Sequence, residues 1–329
     1  MNVSVIVPIY NVQNFIAHCA HSLLSQTLES VEYIFVDDCS PDNSMDILRD
    51  VLGQYPHRQE QVKLIVHEVN QGLPATRNSG LKVATGEYIF HCDSDDFVET
   101  DMLKQMYVAA KQQDADIVWA DWYLSYACKE RYMKQPSFNS PEDALKAMLS
   151  GAMKYNVWNK LVRRQLYTDN KIAFPAGYGM GEDMTTLMLF AYAKRVCYLP
   201  KAFYHYVKLN ENAFSQTYSE RHIQELKYNT ERVTQFLTNR YGETLEKEIA
   251  FFKLDVKYPF LISTQRKHYD IWRTWYCEAH PYLALNNHLS FRAYIVQWFA
   301  AKNMFVFVWL YNQIAYQSCI VCFISNRNR

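Results

Sequence analysis

The chain has 329 residues, 34 Lys plus Arg against 34 Asp plus Glu, a formal net charge of zero and 15% aromatic residues. Its length supports a full α/β core with room for a second region. The balanced charge excludes a globally basic nucleic-acid binder, and the aromatic content offers stacking surface for a ligand or an interface.

In chain order, Val3 to Ile9 is an apolar, β-branched run that predicts a buried first strand, turning at Pro8-Ile9-Tyr10-Asn11. Asn11 is placed to cap a helix whose apolar positions Phe15, Ile16, Cys19, Leu23 and Leu24 recur at helical spacing. Val31 to Val36 predicts a second strand, which ends in Asp37-Asp38-Cys39-Ser40. Ser40-Pro41 reads as the N-cap and first position of a helix through Ile47, Leu48, Val51, Leu52 and Tyr55. Val62 to His67 is a third strand, and Pro74 to Ala84 a short helix carrying Arg77, Asn78 and Gly80. Tyr88 to Cys92 predicts a fourth strand that opens into Asp93, Asp95 and Asp96. Thr100 and Asp101 start an amphipathic helix, and Asp116 to Tyr126 is a further strand. Strands alternating with helices mean βαβ units, an α/β fold with a mostly parallel sheet.

The second half is less regular. Ser140 opens a helix to Met148 as a capping box, Trp158-Asn159-Lys160-Leu161 follows, and Gly177, Gly179 and Gly181 precede Glu182-Asp183 at the start of another helix. Two short strands, Val196 to Leu199 and Phe203 to Tyr206, close a first domain of residues 1–215, leaving 216–329 as a helical C-terminal region. Residues 294–324 carry one charge, Lys302, and are interrupted by Asn312, Gln313, Gln317 and Ser318. An interfacial amphipathic helix on a membrane surface fits that pattern better than a span. Eight cysteines form no framework; Cys319 and Cys322 alone have a C-x-x-C spacing, and with no second pair and an apolar setting these two are expected to be buried reduced thiols. With no basic n-region or cleavage site at the N-terminus, the expected address is cytoplasmic, peripheral on the inner face of the cytoplasmic membrane.

Two strands ending in carboxylates at one sheet edge place Asp38 and Asp95 where open α/β sheets bind ligands. Clustered acids repel unless a cation offsets them, and Mg²⁺ or Mn²⁺ takes carboxylates together with substrate phosphates. A diphosphate leaving group then needs a base pocket (Pro8, Tyr10, Asp38), a cation at Asp93 and Asp95, a positive side chain (Arg77) and a base for the nucleophile (Asp183). Asp183 in a first helical turn is expected to stay ionised under the helix dipole.

The set Val-Pro-Ile-Tyr-Asn (7–11), Val-Asp-Asp-Cys-Ser (36–40), Arg77-Asn78-x-Gly80, Asp93-Ser94-Asp95-Asp96 and Gly181-Glu182-Asp183 resembles the family-2 inverting glycosyltransferases of the GT-A fold, over residues 1–215. The Trp158 segment and the Phe203-Tyr204-His205-Tyr206 strand look like members that decorate bacterial surface polysaccharides. The resemblance implies nucleotide-binding roles for Pro8, Tyr10, Asn11, Asp38, Arg77, Asp93 and Ser94, with Asp38 on uracil and Asp93 on the ribose. It implies Asp95 as the Mn²⁺ or Mg²⁺ ligand, Asp183 as catalytic base and Glu182 as its neighbour in the acceptor site. Asp96, His205, Lys208 and Trp158 are further candidates; Val207 stands where family members often carry Arg, with Lys208 or His205 as substitutes. The implied partners are a nucleoside-diphosphate sugar and a glycan or lipid-linked acceptor. The Gln-x-x-Arg-Trp motif of processive synthases is absent, which favours single-sugar transfer. A sugar-nucleotide pyrophosphorylase is disfavoured because residues 8–16 hold no Gly, Lys or Arg, and a non-catalytic glycan-binding scaffold would leave Asp95 and Asp183 idle.

Overall fold

The structure, a computed structural model, describes residues 1–209, 219–263 and 265–314. It divides into two compact units, Met1–Leu145 with Lys154–Phe236, and Lys146–Met153 with the chain from Leu237 onward.

The first unit is built in the order β1 (Val3–Ile9), α1 (Ile16–Leu24), β2 (Val31–Asp37), α2 (Ser44–Gly53), β3 (Val62–Val66), α3 (Leu73–Val83), β4 (Tyr88–His91), β5 (Phe97–Val98), α4 (Met102–Gln112), β6 (Ile117–Tyr126) and β7 (Lys129–Met133). It continues through α5 (Pro141–Leu149), β8 (Lys160–Arg163), α6 (Arg164–Asp169), α7 (Thr185–Tyr192), β9 (Val196–Val207) and α8 (Glu220–Tyr241). The strands lie in the order β3-β2-β1-β4-β8-β6-β9-β5, with β7 on β6. β3, β2, β1 and β4 are parallel, whereas β8 runs antiparallel to both β4 and β6. The α/β sheet expected from the alternating pattern is therefore present, as a mixed sheet whose first half is all parallel.

Every residue of β1 and β2 is buried, because both faces of a parallel sheet are covered. α3 lies so close to β1 that a Cβ at Gly80 would sit 2.4 Å from Ile6 Cγ2. In register, Ile9 faces Asp37 across β1 and β2, and Ile6 faces His91 across β1 and β4. The segments starting at Tyr10, Asp38 and Cys92 therefore leave the sheet from one edge, which is what positions the site.

Several local expectations are corrected. Asn11 does not cap α1: it adopts φ 55°, and its backbone N–H donates to Ser40 Oγ at 2.8 Å. α2 starts at Ser44 rather than at Pro41, since Asp42 Oδ1 accepts from the Ser44 amide (3.1 Å) and from the hydroxyls of Ser40 and Ser44. The two strands expected near residue 200 are one, β9, with Pro200 and Lys201 bulged out where its register with β6 shifts between Ala120 and Trp122.

The second unit is helical: α9 (Glu246–Lys257), α10 (Pro259–Ile262), α11 (Arg266–Thr274), α12 (Phe291–Ala301) and a helical segment over 305–314. The buried Lys257 ammonium donates to the carbonyls of Trp272 (3.1 Å) and Trp275 (2.5 Å) and packs on the Trp272 ring, which supplies the partners a buried cation needs. The single helix expected over 294–324 is broken. α12 stops at Ala301, and Asn303 takes φ 58° before the next segment. Asn312, expected to interrupt an apolar helix, is buried and donates to Leu261 O at 2.6 Å. Residues 315–324, with Gln317, Ser318, Cys319 and Cys322, lie outside the described residues. Among the described residues, no helix is long and apolar enough to cross a membrane.

Candidate functional site

At the shared sheet edge, Pro8 is buried and Tyr10 half exposed, with a ring free to take a flat partner. Asp38 is buried and fully engaged: Oδ1 lies 2.7 Å from His67 Nδ1 and accepts from Gln71 N (2.8 Å), while Oδ2 accepts from Gly72 N (2.8 Å). His67 Nε2 in turn meets Ser79 Oγ at 2.8 Å. A buried carboxylate needs such donors, and here they pin the corner that leads into α3.

The acids after β4 divide into two kinds. Asp93 and Asp95 are partly exposed. Asp96 is buried, accepting from the Tyr204 hydroxyl at 2.6 Å and the Val207 amide at 2.7 Å, and burial beside Asp95 and Asp93 pushes its carboxyl well above the usual range. It therefore fastens β9 to the turn after β4. The same Tyr204 oxygen accepts from Asp93 N at 3.1 Å, so β9 fixes the backbone on which the exposed acids stand. Ser94 is buried within that turn.

Arg77 joins these acids to the later loop. Its guanidinium is 1% exposed; Nη2 donates to Asp93 Oδ1 at 2.8 Å and lies 3.6 Å from Glu182 Oε1. Nε and Nη1 have no hydrogen-bond partner, and Phe174 packs on the cation. A charge this deep is tolerated because Asp93 pairs with it directly at 2.8 Å, with the Glu182 carboxyl close by. Asn78 exchanges hydrogen bonds with the backbone of Phe174 (2.8 and 2.9 Å), holding that wall in place.

Glu182 and Asp183 sit in a 3-10 turn entered through Gly181 at φ 87°, a conformation in which a side chain is strained. The expected helix-dipole control of Asp183 does not prevail. Burial pushes its carboxyl up to about 6, with Arg77 and Lys160 opposing. Burial and the neighbouring Asp183 push Glu182 further, to about 8. Desolvation of the charged form outweighs the field of one short turn.

Lys160 was not singled out by residue type alone. It is 1% exposed, and its ammonium donates to Lys154 O (3.0 Å), Asn156 O (2.7 Å) and Asn159 Oδ1 (2.9 Å). Burial pulls its pKa down to about 7, against the attraction of Asp183. Its position inside the Trp-Asn-Lys-Leu segment was the one available signal.

The remaining candidates, Trp158, His205 and Lys208, all belong to or pack on β9 and its end. Trp158 is buried, stacked on Tyr204 (4.5 Å, 17°) and Tyr206 (5.3 Å, 20°) and edge-on to Trp122, so it backs the strand that holds Asp96. His205 is clamped by Glu130 Oε1 (2.7 Å) and Glu99 Oε1 (3.0 Å) between the rings of Phe97 and Tyr123. Lys208 is exposed, its ammonium 2.9 Å from the Tyr206 hydroxyl. The structure thus gathers Arg77, Asp93, Glu182, Asp183 and Lys160 into one electrostatic cluster. It keeps Asp38 and His205 in anchors of their own.

Among the described residues no group of three or more His, Cys, Asp or Glu is disposed to hold a metal ion unaided. Asp93 and Asp95, partly exposed and with Asp96 spent elsewhere, fit a cation that takes one or two protein carboxylates and completes its shell with phosphate oxygens.

The family profile described as "Glycosyl transferase family 2" matches residues 4–181. The protein named "Uncharacterized glycosyltransferase EpsJ" of Bacillus subtilis (strain 168) is 33% identical over 223 residues, which cover 65% of this chain and 63% of that relative, less than two thirds of its length. S. aureus TarS 1–349 has the same fold, with a TM-score of 0.70 at 20% identity over 97% of this chain and 92% of that one. TarS 1–349 is also solved in complex with UDP and with UDP-GlcNAc. Mannosyltransferase PcManGT from Pyrobaculum calidifontis, in complex with GDP-Man and Mn²⁺, matches with a TM-score of 0.53 at 16% identity, over 92% of this chain and 86% of that one.

Proposed function

The chain belongs to glycosyl transferase family 2, and we propose that it transfers one sugar, with inversion, from a UDP-sugar to a hydroxyl of a glycan or lipid-linked glycan. The carrying observation is the Asp93–Arg77–Glu182 linkage, which ties the turn after β4 to the loop holding Asp183. It supports a donor on one side and an acceptor on the other of a single buried cation. Residues 1–215 form the catalytic domain in this reading and 216–329 the helical region that follows it.

On the donor side Tyr10 stacks on the base, Pro8 and Asn11 border it, and Asp38 shapes its floor by holding the corner at Gln71 and Gly72. Asp93 and Ser94 meet the ribose. UDP is preferred to GDP because TarS, the neighbour of higher TM-score, is solved with UDP. Asp95, with Asp93, would hold Mn²⁺ or Mg²⁺, and the neighbour PcManGT is solved in complex with Mn²⁺; when bound, the ion would offset charge on the diphosphate. Arg77 works from beneath, keeping Asp93 and Glu182 in place and lowering the local excess of negative charge.

On the acceptor side, Asp183 takes the hydroxyl proton. The acceptor oxygen bonds to the anomeric carbon as its bond to the diphosphate breaks, and that electron pair leaves with UDP. A carboxyl pushed to about 6 is ionised at neutral pH yet more basic than an ordinary aspartate. One base opposite the leaving group gives inversion, as in inverting hydrolysis.

The membrane placement, on the inner face of the cytoplasmic membrane, is supported by exposed apolar side chains at the described end of the second unit: Phe291, Trp298, Val306, Phe307, Leu310 and Ile314. Flotation with anionic vesicles tests it; protein that stays at the bottom of the gradient rejects it.

The test of function is a panel of UDP- and GDP-sugars with Mn²⁺, read by thermal stabilisation and slow donor hydrolysis. Stabilisation by UDP-sugars over GDP-sugars is expected. No stabilisation by any nucleotide removes the donor reading.

A further inference from the structure

The loop that carries Glu182 and Asp183 is fastened from outside by the first turns of α8. Asn229 Nδ2 donates to the carbonyls of Tyr178 and Met180, both at 3.0 Å, and Met180 N donates to the buried Glu225 Oε2 at 3.0 Å. Arg221 pairs with the other Glu225 oxygen at 2.7 Å. A Cβ on Gly181 would meet Leu226 and Asn229 of α8 at 3.4 and 3.5 Å, so the loop and the helix are in direct contact. On this fastened loop Tyr178 stacks on Tyr228, ring centroids 3.7 Å apart and planes within 13°. The two residues are 38% and 41% exposed, so the stack lies at the surface. Tyr178 precedes Asp183 by five residues, and the turn between them is closed by Glu182 N donating to Gly179 O at 3.1 Å.

Resting on the reading of Asp183 as base, we propose that the Tyr178–Tyr228 pair is an acceptor subsite that takes the apolar face of a pyranose ring. Three features favour a sugar. With its ring centroids 3.7 Å apart the stack offers an outer ring face already held in place by its partner, so little side-chain entropy is lost when a sugar stacks on it. Tyrosine joins an apolar ring to a polar hydroxyl, which suits a ligand that has an apolar face and hydroxyls around it. The platform is built on the loop of Asp183 and not on the Tyr10 edge, which leaves the donor's base pocket undisturbed. A pyranose stacked there would present a hydroxyl to Asp183 from the loop side.

The test uses the full chain with saturating UDP and Mn²⁺ and a mixture of methyl pyranosides as probe, read by saturation-transfer NMR. Ring C–H signals are expected with the wild type and with Tyr178→Phe, which keeps the stack. They should fall about tenfold in Tyr178→Ala and Tyr228→Ala. Thermal melting and the Kd for UDP, measured on each variant, separate a lost subsite from a lost fold. Sugar signals unchanged in both alanine variants, or absent from a wild type that binds UDP, overturn the platform while leaving the donor reading intact. Failure of the wild type to bind UDP would instead strike that reading. An alanine variant that loses UDP affinity together with the sugar signal shows the pair to be structural, and also overturns the proposal.

Discussion

Replacing Glu182 with Gln probes the buried charge balance directly. Glu182 is 8% exposed, and its carboxyl is raised from an ordinary 4.5 to about 8, first by burial and then by Asp183. A carboxyl whose folded pKa lies above its unfolded value contributes stability that is complete below the unfolded pKa and is lost as pH rises through the folded one. The window for Glu182 is therefore about pH 4.5 to 8. At about 1.36 kcal/mol per pH unit the full rise is worth about 5 kcal/mol, and proton sharing with Asp183 lowers this to about 2–3 kcal/mol. Glutamine keeps the shape and cannot ionise. Urea unfolding of wild type and Glu182→Gln at pH 5 and pH 8 should show the variant gaining that amount on the wild type at the higher pH. Arg77 opposes the effect, and the value of about 8 already includes its pull. Curves that stay parallel, within about 0.5 kcal/mol, would refute the argument that Glu182 is driven neutral by its surroundings.

Lys160→Met removes a cation that holds the Asp183 carboxyl down, so the acid limb of kcat/KM against pH should move upward from its wild-type position near pH 6. An unmoved limb would mean that Lys160 serves only the carbonyls it caps. Gly80→Ala should lower stability by about 2–3 kcal/mol, because its Cβ would lie 2.4 Å from Ile6 Cγ2 in the packed face between α3 and β1. Chemical unfolding measures this, and a loss under about 0.5 kcal/mol would show that the helix shifts freely.

Much of the first unit was legible because buried parallel strands read as continuous apolar runs, and β1, β2 and β4 end in turn-forming residues where the sheet stops. The acids at 93–96 stood out for the same reason, and so did Arg77 and the Glu182-Asp183 pair. What local sequence does not carry is partnership over distance. Asp38 was legible as an acid at a strand end, whereas its partners at residues 67, 71 and 72 were not. Asp96 resembles Asp95 in sequence, and its burial against Tyr204 and the Val207 amide shows only in the structure. β5 and β8, of two and four residues, are too short to show a period. β9 hides its continuity because a proline inside it is accommodated by a bulge. Lys160 becomes interesting only once three oxygens surround it in the dark of the core.

The most direct measurement is sugar transfer by Asp183→Asn, taken together with its affinity for UDP. If Asp183 removes the acceptor proton, the variant binds UDP as the wild type does while its turnover falls by about 10²–10⁴. Turnover at the wild-type rate, with nucleotide binding intact, would contradict the account.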